Sequence, residues 1–282
     1  MKKVKIISDS TCDLSKELIK KNDIEIVPLY VNFNEESYLD GVSLNVEEMY
    51  DLVSSKKALP KTAAPSPGAF VEVFQKYLDL GYEVLYMGLG SKFSATFSSA
   101  NVAKQTLDSE DIYLVDSLNL SSGTGLLVLK ASRMVEQGMT AKEIKEEIEK
   151  LVPKVRSQFV IDTLEYLYKG GRLNALSALF GGMLRIKPII KVRDGVMAVG
   201  KKGRGNIKNG IDLMLNEVFQ EKDNIDDEFM MITHSLADKS SEYIKSRLNE
   251  EIKVKNLHET PAGCVISSHC GKGTIGVLYI LK

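Results

Sequence analysis

Apolar residues along the chain follow two rhythms. Short runs rich in Val and Ile, at Val4 to Ile7, Val84 to Leu89 and Ile112 to Val115, each end in a cluster of turn-forming residues. Helical spacing follows each of them. Leu14, Leu18 and Ile19 come after the first run, a helix from Ser94 to Leu107 after the second, and a long helix from about Ser122 to Glu136 after the third. Such a succession predicts right-handed crossover units on a mostly parallel sheet. Ile24 to Phe33 and the stretch around Leu59 to Pro67 complete this half. A charged helix, Ala141 to Leu151, reads as a surface element, and Pro153 marks a boundary because the residue before a proline avoids helical geometry.

The second half opens with a strand near Ser157 to Ile161 and two short helices around Leu164 to Tyr168 and Ala175 to Phe180. Ile186 to Val192 and Gly195 to Val199 read as a hairpin around Arg193-Asp194-Gly195. Alternation then resumes: helix Ile207 to Phe219, strand Phe229 to Thr233, helix Lys239 to Leu248, strand Ile252 to Leu257 and a last strand Thr274 to Ile280. The expectation is an α/β protein of two domains. Residues 1–153 form a mostly parallel N-terminal domain and residues 154–282 a smaller α/β C-terminal domain.

Length and composition fit this plan. A chain of 282 residues with 44% hydrophobic content can bury two cores. Lys and Arg number 37 against 38 Asp and Glu, a balance that argues against a dedicated nucleic-acid binder. The apolar run at the N-terminus breaks at Ser8 and Asp9, too early for a signal peptide or a membrane span. Cys12, Cys264 and Cys270 have no framework spacing and read as reduced thiols, so a cytoplasmic location is expected.

Candidate chemistry gathers where the strands end. Ligands of parallel sheets collect at the carboxyl ends of strands. Those ends carry Ser8-Asp9-Ser10-Thr11, Ser91 with Ser94 and Thr96, and Asp116-Ser117 with Ser121 and Ser122. Thr62 and Ser66 lie in a Pro-rich stretch, read as a loop. Ser94 is expected at a helix N-cap, where its hydroxyl and the N–H of Ala95 can receive an anion. Singly, each hydroxyl reads as an ordinary cap or turn former; as a set they suit a polar ligand head.

Catalysis and metal binding have less support. His234, His258 and His269 all lie in the second half, away from the serines in sequence, and no Gly-x-Ser-x-Gly elbow occurs. His269 between Cys264 and Cys270 lacks the paired spacing of a zinc site. Gly271-Lys272-Gly273-Thr274 resembles a phosphate loop but has Ile266 at the first required glycine and Gly273 after the lysine. Two apolar stretches, Asn174 to Leu184 and Leu126 to Leu129, read either as core or as lining for an inserted chain. From Lys154 to Lys208, 12 basic residues face only Asp162, Glu165 and Asp194. Such a cluster suggests an acidic partner or a phosphate, with Arg172 and Arg204 as its contacts near the mouth of the site.

With these residues in view, the sequence resembles the DegV family of fatty-acid-binding proteins nearly end to end. SDST at Ser8 to Thr11 and PLYVNF at Pro28 to Phe33 are similar to the family's opening. KTAAPSPGAF, Lys61 to Phe70, resembles its Thr-Ser-Gln-Pro-Ser loop, with Ala63 and Ala64 departing from it. GSKFSATFSSA, Gly90 to Ala100, resembles Ser-Ser-x-Leu-Ser-Gly-Thr-Tyr-x-Ser-Ala, with Ala95 in the glycine's place. VDSLNLSSGTG, TLEYLYKGGRL and the IKPII after Arg185 also fit, and SSHCGKG resembles Thr-His-x-Gly-Pro-Gly with Lys272 for the proline.

The resemblance implies two α/β domains with the ligand between them, a long-chain fatty acid such as palmitate or oleate with its tail in a tunnel. Its carboxylate would be held by Thr62, Ser94, the Ala95 amide and the nearby His269. It further implies a carrier without chemistry or cofactor of its own that serves a separate ATP-dependent fatty acid kinase. The other readings are a serine-dependent lipid hydrolase or acyltransferase using Ser94 with His269, and a carrier of another apolar carboxylic acid.

Overall fold

The computed structural model describes residues 2–171 and 186–282, so Arg172, the apolar stretch Asn174 to Leu184 and the helix expected at Ala175 to Phe180 lie outside it. The first half runs β1 (Val4–Asp9), α1 (Lys16–Lys21), β2 (Glu25–Val27), β3 (Tyr30–Phe33), β4 (Glu36–Leu39), α2 (Val46–Lys56) and β5 (Lys61–Ala63). It continues with α3 (Pro67–Asp79), β6 (Glu83–Gly88), α4 (Thr96–Leu107), β7 (Ile112–Asp116), α5 (Ser122–Glu136) and α6 (Ala141–Leu151). The second half runs β8 (Val155–Val160), α7 (Glu165–Lys169), β9 (Ile186–Arg193), β10 (Val196–Arg204), α8 (Ile207–Gln220) and β11 (Ile225–His234). It ends with α9 (Asp238–Glu251), β12 (Asn256–Pro261), α10 (Cys264–Cys270) and β13 (Ile275–Leu281).

Three sheets result. The expected parallel sheet has the order β2-β1-β6-β7. A second sheet of six strands, β10-β9-β8-β13-β11-β12, is antiparallel except for the β11–β12 pair. The alternation seen in the second half therefore does not make a mostly parallel sheet. The hairpin of β9 and β10 and the return of β13 between β8 and β11 reverse the strands. Both residues of the hairpin turn, Asp194 and Gly195, have positive φ (50° and 73°), which matches the twist of the flanking strands. A small sheet, β4-β3-β5, stands apart and carries Thr62 on a strand rather than in a loop.

Several elements were not anticipated. Helix α2 is closed by a reciprocal cap between Asn45 and Glu48, and α3 starts at Ser66 with Pro67 in its first turn. Strand β12 starts at Asn256, beyond the expected Ile252, which ends α9 with its side chain in the core. Helix α10 occupies a stretch to which the sequence reading assigns no element.

Helix α5 binds the two large sheets together. Its residues from Ser122 to Ser132 are all buried. Leu126, Leu127, Val128 and Leu129 share one core with Ile6 and Leu85 of the parallel sheet and with Met231 and Leu278 of the second sheet. A helix apolar on every side needs a layer on every side. Its one buried cation, Lys130, reaches the second half, with Nζ 2.8 Å from Asp226 Oδ1 and 2.6 Å from Glu228 Oε2. At the start of the helix, glycines let the layers close. A Cβ on Gly123 would lie 2.2 Å from Asn119 Oδ1 and 2.3 Å from Ser157 Oγ, atoms that themselves hydrogen-bond at 2.7 Å. Gly123→Ala should therefore lower stability by about 2 kcal/mol, through overpacking and loss of that bond. Urea unfolding checks this, and an unchanged midpoint would refute the close approach.

Candidate functional site

The site begins with two buried carboxylates from the first half that hold the N-terminus of α10. Asp13 follows a single 3-10 turn after β1; its Oδ1 accepts from Gly263 N at 2.8 Å and its Oδ2 from Ser121 Oγ at 2.5 Å. Asp40, after β4, accepts from Cys264 N at 2.8 Å. A Cβ on Gly263 would lie 3.2 Å from both carboxylates, so a glycine lets them close on the helix end. Burial pushes the Asp13 carboxyl well above the usual range and raises that of Asp40; the amide and hydroxyl donors oppose the shift. Ser121 itself has φ 54° and ψ −150°, an uncommon conformation for a residue with a side chain, and caps the entry to α5.

Asp9 does similar work one layer away. Its carboxylate accepts from Thr11 N at 3.0 Å, Tyr86 OH at 2.9 Å and Leu89 N at 2.8 Å, and burial raises its pKa. Ser8 and Thr11 are buried, and Ser10 Oγ accepts from Leu29 N at 3.1 Å. Asp116 accepts from Ser91 N and Leu118 N, and Ser117 donates to Gly88 O. Most hydroxyls at the strand ends thus fasten loops. Of those singled out in sequence, Thr62, Ser94 and Ser121 line a cavity.

That cavity encloses about 260 Å³ between the loops of the parallel sheet, β5, α10 and the inner face of the six-stranded sheet. Thr62, Ser94, Ala95 and His269 all line it. Thr62 Oγ1 lies 2.9 Å from His269 Nε2, joining the small sheet to the last turn of α10. The N-cap of α4 is Ala95, not Ser94 as expected; its side chain makes no capping bond. Ser94 still serves the helix end, since its Oγ accepts from Thr96 N at 3.2 Å and lies 2.8 Å from Thr96 Oγ1. Two more glycines shape this end. A Cβ on Gly170 would lie 2.5 Å from His269 Nδ1, and one on Gly271 would lie 2.8 Å from the Tyr166 ring.

Away from these polar groups the walls are apolar: Leu29, Leu89, Phe93 and Leu120 from the first half, with Leu167 and Val265 from the second. Phe159, Met197 and Leu278 form the floor. None of these was singled out in sequence, although Phe159 alternates with Ser157 in β8 and such alternation marks one sheet face. Leu126 to Leu129, read as core or as lining, are core and do not border the cavity.

Among the described residues no Lys or Arg lines the cavity. Lys272 is exposed and stands outside the lining. Arg204 is exposed at the far end of β10, roughly 20 Å along the strand from Met197, and is not a lining residue. Much of the basic stretch is answered from beyond it: Lys191 and Lys201 pair with Glu217, Arg156 and Arg193 with Glu221, and Lys208 with Asp212. The lopsided count in sequence thus largely reflects pairing within the second half. Lys202 and Arg204 have no carboxylate partner among the described residues.

The hydroxyl at Ser94 pairs with Thr96, while His269 Nε2 pairs with Thr62. His234 Nδ1 accepts from Ala237 N at 3.1 Å, and its Nε2 lies 3.3 Å from Glu259. The three cysteines are buried and unpaired, and burial pushes the thiols of Cys12 and Cys270 up to about 12, far from a thiolate. Among the described residues no group of His, Cys, Asp or Glu could hold a metal ion, and no helix is long and apolar enough to cross a membrane.

The chain is thus an α/β protein with an apolar cavity between its layers and a hydroxyl–imidazole pair at one end. Comparison with known proteins narrows this description. Residues 3–282 match the profile described as uncharacterised protein, DegV family. A DegV domain-containing protein of Clostridium acetobutylicum is 38% identical over 282 residues, all of either chain. Among solved structures, a fatty-acid-binding DegV family protein of Thermus thermophilus has a TM-score of 0.92 at 27% identity, covering 99% of this chain and 100% of its own. A stearic-acid-binding protein of Eubacterium ventriosum has a TM-score of 0.87 at 29% identity, covering 99% and 98%. The chain belongs to the DegV family.

The buried aspartates generate a test. The folded carboxyl of Asp13 lies above its ordinary value, so as pH falls the native chain binds that proton before the unfolded chain does. Its contribution to stability therefore rises as pH drops through the folded value and levels off near the ordinary value of about 4. Asp13→Asn removes this proton. Between pH 7.5 and 5, wild type should gain stability relative to Asp13→Asn, read as the difference in urea midpoints. A constant difference would overturn the assignment.

Proposed function

We propose that this protein binds a long-chain fatty acid in the cavity and presents its carboxylate to a separate ATP-dependent fatty acid kinase for acyl-phosphate formation. One observation carries the binding part: an apolar cavity whose polar groups Thr62, Ser94 and His269 border it beside the start of α4. The fatty acids bound by the related Thermus thermophilus and Eubacterium ventriosum proteins support it.

The energetics suit such a ligand. Roughly 15 methylenes at about 0.8 kcal/mol each give a gross drive near 12 kcal/mol before ordering costs. The carboxylate would accept from the Thr62 and Ser94 hydroxyls and face the amides that open α4, where the helix dipole favours negative charge. With no Lys or Arg in the described lining, these donors orient the head while the tail supplies affinity. The kinase part rests on the resemblance of the motifs. In that reading Arg172 and Arg204 contact the kinase, and Arg204 stands outside the cavity lining.

Native mass spectrometry of the purified protein should show about one bound fatty acid, identified after extraction. A protein that stays empty and ignores added palmitate and oleate would refute the proposal. Thr62→Ala combined with Ser94→Ala should weaken palmitate binding at least about tenfold, the loss of one charge-assisted hydrogen bond or more, with thermal unfolding little changed. Loss of an ester-hydrolysing activity in Ser94→Ala would favour the hydrolase instead. Arg204→Ala should bind palmitate as wild type does but slow acyl-phosphate formation with a cognate kinase, and high salt should slow the wild-type reaction. Equal kinase rates for the two proteins would remove Arg204 from the partner contact.

A further inference from the structure

The inner face of the six-stranded sheet is built in rows set by strand register. In the middle row Thr233 of β11 pairs with Gly276 of β13, and Gly276 pairs with Phe159 of β8. All three line the cavity. Gly276 contributes no side chain, so the floor there is lowered to bare backbone, a shallow furrow between Thr233 and Phe159. Neighbouring atoms crowd the glycine itself. A Cβ on Gly276 would lie 2.8 Å from Gln158 O and 3.0 Å from Phe159 Cβ.

The hydroxyls around this furrow are already engaged. Thr233 Oγ1 bonds Ser122 Oγ and, at 3.0 Å, Thr260 Oγ1. Thr274 donates to Cys270 O at 2.8 Å, and Ser235 pairs with Tyr50 at 2.6 Å and Ser267 at 2.8 Å. A ligand crossing here therefore meets satisfied polar groups and apolar surface, as an acyl chain requires.

The furrow also has a closed end. Thr274, just before β13, and Gly276 and Leu278 on its inner face border the cavity, but the next residue on that face, Ile280, does not. Beside them on that face, Met231 of β11 and Ser157 of β8 do not border it either. Leu278 is buried against the core that contains Leu126 to Leu129 of α5. From Thr274 to Leu278 the chain advances about 13 Å.

We propose that the acyl chain lies in the Gly276 furrow and that Leu278 is the stop that sets the longest chain the cavity accepts, with the Phe159 ring as its side wall. This rests on the fatty-acid reading above and goes beyond it by naming the residues that select among fatty acids. Carbon beyond the stop would have to displace core side chains under α5, which packing at native density resists.

The test is a binding profile over saturated fatty acids from dodecanoate to docosanoate, measured by calorimetry on delipidated wild type and Leu278→Ala. The longest acid accepted should increase by two carbons or more in the variant. An acid two carbons past the wild-type optimum should bind about tenfold better than it does to wild type, the change two further buried methylenes bring. Because Leu278→Ala also opens the core, Leu278→Val is measured beside it and should move the profile the same way by less. Phe159→Leu, which trims the side wall and leaves the stop, should raise oleate binding relative to stearate without moving the length limit. If wild type binds the series and its profile coincides with those of folded Leu278 variants, the stop is wrong. If wild type binds none of the acids, the fatty-acid reading itself has failed.

Discussion

Everything at the polar end of the cavity depends on the grip of Asp13 and Asp40 on the first turn of α10. That helix has seven residues, too few to persist alone because nucleation costs more than so few hydrogen bonds return. Its first amides find their acceptors 250 and 224 residues away in sequence. The carboxylates, in turn, lose their water to be there. Amides, the Ser121 hydroxyl and the partial positive charge of the helix end offset that loss. His269 sits in the last turn of the helix so held, and Thr62 meets it from the small sheet. The position of the imidazole is thus set at the opposite end of its own helix.

The two halves of the chain do not keep separate interiors. Helix α5 is shared by both large sheets, and Cys264 and Val265 of α10 belong to a core otherwise made by the small sheet, α2 and their neighbours. The cavity is the region between these shared cores where side chains from the two sides line a space without filling it. That arrangement gives a rigid floor, the six-stranded sheet, and a roof of loops fixed by buried aspartates and serines. Function in such a fold rests on what the layers leave open.

Local patterns were legible where spacing alone decides structure. The bounds of α5 and α6 and the hairpin of β9 and β10 follow from helical periodicity and from an Asp-Gly turn. Thr62, Ser94, Ala95 and His269, carried by a resemblance of motifs, all border one cavity. Long-range facts were not legible. No local signal says that β13 returns antiparallel, that seven residues with two serines and a valine make α10, or that Asp13 and Asp40 meet its end. Hydroxyls at strand ends look alike whether they face a ligand or fasten a loop, so Ser10, Thr11 and Ser117 read as candidates. A basic stretch cannot disclose that Glu217 and Glu221, later in the chain, answer it. Gly276 inside an apolar strand was the one unused clue to the floor of the cavity.

The place of β13 has a consequence for how local opening spreads through the molecule. Strand β13 lies in the interior of the six-stranded sheet, between β8 and β11, and its Leu278 and Ile280 complete the core beneath α5. Without it β8 and β11 would have no common neighbour, the underside of α5 would be bare, and the floor of the cavity would lack its middle plank. An edge strand can fray while the rest of its sheet stays paired, but a central strand cannot leave without opening the ladders on both its sides. The floor of the cavity is thus tied to a cooperative part of the sheet, and its shape lasts as long as the fold does.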